Sequence, residues 1–135
     1  MLFRSLSARL SGVYISDGHV RTAKLISAAA TGNRTAAEQV MRDDDANLTS
    51  KPIPSTSGLS AIVACDHAEA YALLGDTAAM YPNLDRCVAG PSGAGGAFGV
   101  YPAILRRLPL YAPYRDQPHF KRIVDNMIVF RKARR

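Results

Sequence analysis

Tryptophan is absent from this sequence, and aromatic residues of all kinds make up only 7% of it. Much of the apolar content is therefore alanine, which favours closely packed helices over a strand-rich core. Long hydrophobic runs are also missing. The best candidate, residues 93–105, falls short of the ~20 apolar residues of a membrane span and ends on Arg106 and Arg107, so no transmembrane helix is expected. Cysteine is scarce. Cys65 and Cys87 form no C-x-x-C, and His19, His67 and His119 lie far apart, so zinc-ligand spacing is absent and neither metal nor cofactor is expected. The two thiols read as buried or idle in a reducing compartment, with a disulfide between them as the alternative.

The chain of 135 residues, 47% of them apolar, has room for one modest domain or for a small domain with long extensions. Its stretch "GPSGAGGAF" at residues 90–98 has the glycine spacing of a phosphate-binding loop. Such a loop needs Lys and then Ser or Thr after its last glycine, the first to reach the phosphates and the second to hold magnesium. Gly96 and Ala97 occupy those positions. The preceding "YPNLDRCVA" is not a buried apolar strand either, so residues 90–98 read as a flexible hinge rather than a nucleotide site. No Ser/His/Asp or Cys/His grouping sits in a recognisable nucleophile motif, and the chain reads as non-catalytic.

Charge is split along the chain. Residues 1–24 carry a net +3, residues 25–105 a net −4 and residues 106–135 a net +7. Basic ends of this kind seek phosphate, anionic lipid or an acidic protein surface. No acid precedes Asp17, while Arg4, Arg9 and several serines do, and Phe3, Leu6 and Leu10 share one helical face. These are the marks of a mitochondrial transit segment, so residues 1–24 are assigned as a basic, targeting-like extension.

Residues 25–89 are assigned as a core of two helical hairpins. "LISAAATGNRTAAEQVMRDDDAN" (25–47) resembles one ankyrin repeat: Leu25, the Ala28–Ala29 pair and the Gly32–Asn33 turn fall where that family has its leucine, paired alanines and turn, and "DDDAN" resembles a shortened ankyrin loop. Residues 58–76 resemble a second copy, with Leu59, Ile62, Val63, Asp66 and His67 each 34 residues after their counterparts, against about 33 in the family. The Thr-Pro-Leu-His opening is absent from both. The resemblance implies stacked hairpins acting through protein contacts; two hairpins without common ancestry are the alternative. Because about three repeats are needed for stability, something must cover each end of the pair: the chain's own C-terminal part at one end, a partner at the other.

Residues 90–119 are Gly-rich and then Pro-rich. With Pro102, Pro109, Pro113 and Pro118, and with Tyr101, Tyr111 and Tyr114 interleaved, they read as extended, with at most a short helix at 103–108. Residues 120–135 are assigned as an amphipathic helix and basic tail. Phe120, Ile123, Val124, Met127 and Ile128 form its apolar stripe, and Asp116 is its expected cap. Aromatic and arginine side chains are enriched at interfaces, so Tyr101, Arg106, Arg107, Tyr111, Tyr114, Arg115, Ile123, Met127, Arg131, Lys132, Arg134 and Arg135 are the expected partner-binding residues.

The expectation is thus a mainly α chain acting as an accessory subunit of a large mitochondrial assembly. Its partners are other protein subunits, with anionic lipid headgroups or rRNA as further partners of the basic ends. A peripheral, matrix-side place on an inner-membrane respiratory or ATP-synthase complex is favoured. The alternatives are a mitochondrial ribosomal protein contacting rRNA through its basic ends, and a free ankyrin-type adaptor.

Overall fold

Two glycines in the left-handed backbone region set the course of the chain, Gly32 at φ +75° and Gly75 at φ +73°. The computed structural model describes residues 17–50, 58–89 and 102–133. In it, α1 (Asp17–Ala30) turns at Gly32 into α2 (Arg34–Ser50), and α3 (Gly58–Leu74) turns at Gly75 into α4 (Thr77–Val88). A short helix α5 (Pro102–Arg107), a 3-10 helix (Pro109–Tyr114) and α6 (Pro118–Ala133) follow. Among the described residues there is no strand, and no described helix is long and apolar enough to cross a membrane. The targeting-like residues 1–16 and the glycine-rich residues 90–98 lie outside the described residues.

The two turns are copies of each other. In the first, Gly32 N–H donates to Ala29 and Asn33 N–H to Ala28; in the second, Gly75 N–H donates to Ala72 and Asp76 N–H to Tyr71. The next residue caps the outgoing helix in the same way. Asn33 Oδ1 accepts from Ala36 N–H at 3.2 Å and Asp76 Oδ1 from Ala79 N–H at 3.1 Å, which satisfies donors that a helix start leaves free. The buried positions around the turns also correspond, Leu25 with Ala68, Ala29 with Ala72, Ala37 with Met80, and Met41 with Leu84. The two hairpins therefore share a turn geometry and a burial pattern, with Gly32 and Gly75 standing 43 residues apart. The 34-residue ankyrin register is not the structural one: Asp66, its counterpart for Gly32, lies in the middle of α3. "DDDAN" forms no loop but continues α2 to Ser50.

Helix α3 is the centre. It is apolar on most of its circumference apart from Asp66, His67 and Glu69, as suits a helix covered on several sides, and it packs against α1, α2, α4 and the 3-10 helix. On one side Leu25, Ala29, Ala37, Met41 and Ala70 form a small core. On the other, Ala68 and Ala72 meet Met80, Leu84, Leu105, Tyr111, Tyr114 and the α6 stripe. The C-terminal third therefore closes the second hairpin, as expected, and Phe120, Ile123, Val124 and Met127 all face inward. Helix α6 begins one residue later than an Asp116 cap would set it: the Gln117 carbonyl accepts from Lys121 N–H at 3.0 Å.

The proline-rich segment is more helical than extended. Proline's fixed φ near −65° suits a 3-10 turn, and in such a turn residues three apart stand above one another. Tyr111 and Tyr114 consequently share one side and enter the core together. Tyr114 Oη donates to the Ala72 carbonyl at 2.6 Å, and the Tyr111 ring lies 5.5 Å from that of Phe120.

The cysteines are not idle thiols. Cys65 and Cys87 are joined in a disulfide with Cα atoms 4.7 Å apart. The hairpin explains the pairing, since the two residues stand almost equally far from the Gly75–Asp76 turn on antiparallel arms.

A Cβ at either turn glycine would meet no atom within 4 Å, so replacement is opposed by the backbone alone. Gly32→Ala and Gly75→Ala should each lower unfolding free energy by about 1 kcal/mol in urea titrations. Asn at either site, which tolerates this conformation, should cost clearly less; equal losses for Ala and Asn would assign the effect to something other than φ.

Candidate functional site

Two groups of polar side chains stand out, a half-buried seam and an exposed basic cleft. The seam runs between α1, α2 and α3. Its hub is Asp44, which lies on the buried stripe of α2 one helical repeat beyond Ala37 and Met41. Asp44 Oδ2 meets His67 Nε2 of α3 at 3.1 Å, and its Oδ1 lies 3.5 Å from Arg21 Nε of α1. His67 is 5% exposed. Nearby, Thr22 Oγ1 donates to Asp66 Oδ2 at 3.0 Å. Each pair joins side chains from different helices.

Glu69 extends the seam along α3. Burial, with a smaller contribution from the Asp66 charge, pushes its carboxyl up to about 7. The same burial, reinforced by Glu69 and Asp66, drives the Tyr111 phenol well above its ordinary value. Acids and a phenol crowd one interior region that the α1–α2 cations reach only in part. The hairpin turns carry a second cross-link, in which Arg34 Nη2 meets Asp76 Oδ2 at 2.9 Å while its Nη1 meets Glu38 at 3.0 Å. Arg34 and the Ala79 N–H hold the Asp76 carboxyl below the usual range.

The basic cleft lies where α5, the end of the 3-10 helix and α6 converge. Its cavity of about 190 Å3 is lined by Arg106, Arg115, Lys121 and Asp125 over the apolar Phe120 and Val124. Arg115 Nη2 donates to the Leu108 carbonyl at 2.6 Å, which fixes one edge of the guanidinium. Its Nε is buried with no hydrogen-bond partner among the described residues. Arg106 and Lys121 are exposed. On the other side of Phe120, the Tyr81 ring stacks on His119 at 4.1 Å, Tyr81 Oη donates to Gln117, and His119 meets Asp85 at 3.1 Å.

The expected partner-binding residues divide by these facts. Arg106 and Arg115 come together in the cleft, and Arg107 is exposed beside it. Tyr111, Tyr114, Ile123 and Met127 are at most 7% exposed, inside this chain's own core. They are held there by the 3-10 spacing and the α6 stripe and present no surface to a partner. Arg131 and Lys132 belong to the last turn of α6, with side chains outside the described set, and Tyr101, Arg134 and Arg135 lie outside the described residues. The seam was missed by sequence reasoning because "DDDAN" was read as a loop. Its signal is nevertheless present: an acid on the buried stripe of α2 needs a partner, and α3 carries a histidine inside an alanine-rich helix.

No described group of three or more His, Cys, Asp or Glu residues is arranged to hold a metal ion. Comparison with protein-family models, with curated proteins and with solved structures finds nothing that matches this chain.

The buried acid makes stability depend on pH. A carboxyl raised in the folded state binds its proton more tightly there than in the unfolded chain, so stability from Glu69 is full below about pH 4.5 and is lost as pH rises through about 7. Glu69→Gln, which cannot ionise, should therefore be close to neutral near pH 5 and stabilising near pH 8. Denaturant titrations at the two pH values check this. An equal effect at both would show that the Glu69 charge is not confined.

Proposed function

We propose that this chain is a non-catalytic accessory subunit of a large mitochondrial assembly, acting through protein–protein contacts. The observation that carries the proposal is the one-sided closure of the hairpin stack. The second hairpin lies between the first hairpin and the C-terminal elements, whereas α2 has its main packing against α1 and α3 among the described elements. Over its 17 residues, Ala37 and Met41 are the described side chains that are fully buried. Arg34, Gln39, Arg42, Asp43 and Asp45 are exposed. Stacked hairpins gain stability from each neighbour they cover, so an open side is where a further subunit adds most.

Address and charge support the same proposal. The N-terminal pattern is that of a mitochondrial presequence, and the acidic α2 and basic C-terminal unit offer two surfaces of opposite sign to different neighbours. A peripheral, matrix-side position on an inner-membrane respiratory or ATP-synthase complex is the favoured placement. The Cys65–Cys87 disulfide weighs against any strongly reducing compartment, and this placement requires it to be protected there. The second reading, contact with rRNA in a mitochondrial ribosome, draws on the exposed Arg106, Arg107, Lys121 and Arg122, with the acidic α2 against it.

Purification of the tagged, full-length chain under native conditions should bring down respiratory or ATP-synthase subunits in fixed ratio, without rRNA. Recovery of rRNA in constant ratio would replace the first reading with the second, and a free monomer in organelle extracts would reject both. Replacing Asp43 and Asp45 with Lys should reduce incorporation severalfold at unchanged helicity if α2 carries the contact.

A further inference from the structure

We propose that the cleft formed by Arg106, Arg115 and Lys121 is a binding site for a single phosphate or phosphomonoester group. This goes beyond the assembly role and does not depend on it. Three cations from three separate elements converge on one cavity: Arg106 from α5, Arg115 from the end of the 3-10 helix and Lys121 from α6. Asp125 is the one carboxylate among the lining residues, which leaves the cleft with a net positive charge. Like charges gathered on a folded surface repel each other, and the arrangement is relieved by an anion between them.

Arg115 supplies the built part of the site. Its hydrogen bond to the Leu108 carbonyl holds the guanidinium plane, so little side-chain freedom is lost on capture of an oxyanion. The hydrogen bond uses one of the five N–H groups, and the Nε, closed off from solvent, has no hydrogen-bond partner among the described residues, so the donors left for a ligand are those of the guanidinium's outer nitrogens. An arginine that is half fixed and still has free donors suits bidentate recognition of a tetrahedral oxyanion. Arg106 and Lys121, both exposed, supply adaptable charge at the rim. The buried Phe120 and the Val124 side chain form an apolar wall, which lowers the local dielectric and strengthens each ionic contact.

Size selects the ligand class. At about 190 Å3 the cavity is below the roughly 300–1,000 Å3 of pockets that enclose whole cofactor-sized molecules. It accommodates one phosphate and its waters. Gathering the cations in one half-open cup also suits a compact dianion better than a nucleic-acid backbone, which is gripped along a track of cations.

Isothermal titration of the full-length protein with inorganic phosphate, at ionic strength held constant with sodium chloride, tests the site. Saturable one-to-one binding is expected, with sulfate competing and chloride inert. Arg106→Gln and Lys121→Gln alter exposed side chains and should each weaken binding roughly tenfold. Asp125→Asn should tighten it, and Arg122→Gln, whose side chain is not part of the cleft, should leave it unchanged. Arg115→Lys keeps the charge, loses the planar fork and should weaken binding even where circular dichroism shows the fold intact. Vesicles carrying phosphatidic acid distinguish the source of the group: vesicle binding competed by free phosphate assigns the cleft to a lipid phosphomonoester, and phosphate binding without vesicle binding assigns it to a soluble ligand. Absence of saturable phosphate binding, equal weakening by Arg122→Gln, or binding of single-stranded RNA without binding of phosphate would each overturn the proposal.

Discussion

Helix α3 must be covered on every side, and the rest of the molecule is organised by that requirement. A helix with apolar residues on most of its sides has little face to give to water, and no described residue of α3 is exposed. The first hairpin covers one side of α3, α4 another, and the 3-10 helix brings Tyr111 and Tyr114 to a third. Its small side chains let neighbours approach closely, and Ala64, Ala68, Ala70 and Ala72 are all buried. Close approach has a limit as a source of stability, since each alanine removes little apolar area from water. The large contributions come from elsewhere, from Leu25 and Met41 on one side and from Phe120, Leu84 and the tyrosines on the other.

That limit gives the polar seam its significance. Where alanine interfaces are permissive about exact rotation, the Asp44–His67 and Thr22–Asp66 contacts specify one arrangement of α1, α2 and α3, because any other leaves polar groups buried without partners. Arg34 and Asp76 do the same for the two turns at the surface. Glu69 is the member least well served, a carboxyl desolvated beside another acid. Polar contacts therefore set the register of the first hairpin on the second, and the apolar cluster of the C-terminal third sets the other side.

Much of the architecture was legible in the sequence, and for identifiable reasons. The Gly32–Asn33 turn and the stripe of α6 follow from single-residue chemistry, a left-handed glycine with an Asx cap and apolar side chains at helical spacing, and both are found. The repeat was harder. Its constant part is the turn, Ala-x-x-Gly-(Asn/Asp)-x-x-Ala, and the helices around it share burial rather than identity: Ala37 corresponds to Met80, and Leu25 to Ala68. A register drawn through apolar pairs slid by nine residues, where one drawn through the glycines would not have. The tyrosines were misplaced because prolines were read as extended chain, whereas a 3-10 helix accepts them and reverses which side chains share a face. The cleft could not be read at all, since Arg106, Arg115 and Lys121 meet only once α5 and α6 have docked.

The disulfide and the presequence-like N-terminus point to different redox environments, and the burial of one sulfur bears on the conflict. Thiol–disulfide exchange requires an attacking thiolate to reach a sulfur atom. Cys87 is 1% exposed near the end of α4, while Cys65 on α3 is only partly buried. Attack must therefore come from the Cys65 side or wait for α4 to lift. Lifting α4 breaks its packing on α6 and exposes Met80 and Leu84, so it draws on much of the stability of the fold. The crosslink in turn restrains that opening, because closing a loop between residues 22 apart stabilises by about 3 kcal/mol in the chain-entropy account. Crosslink and packing protect each other. A neighbour seated over the Cys65 face would close the remaining route, and the redox state of this pair would then follow that contact as well as the compartment.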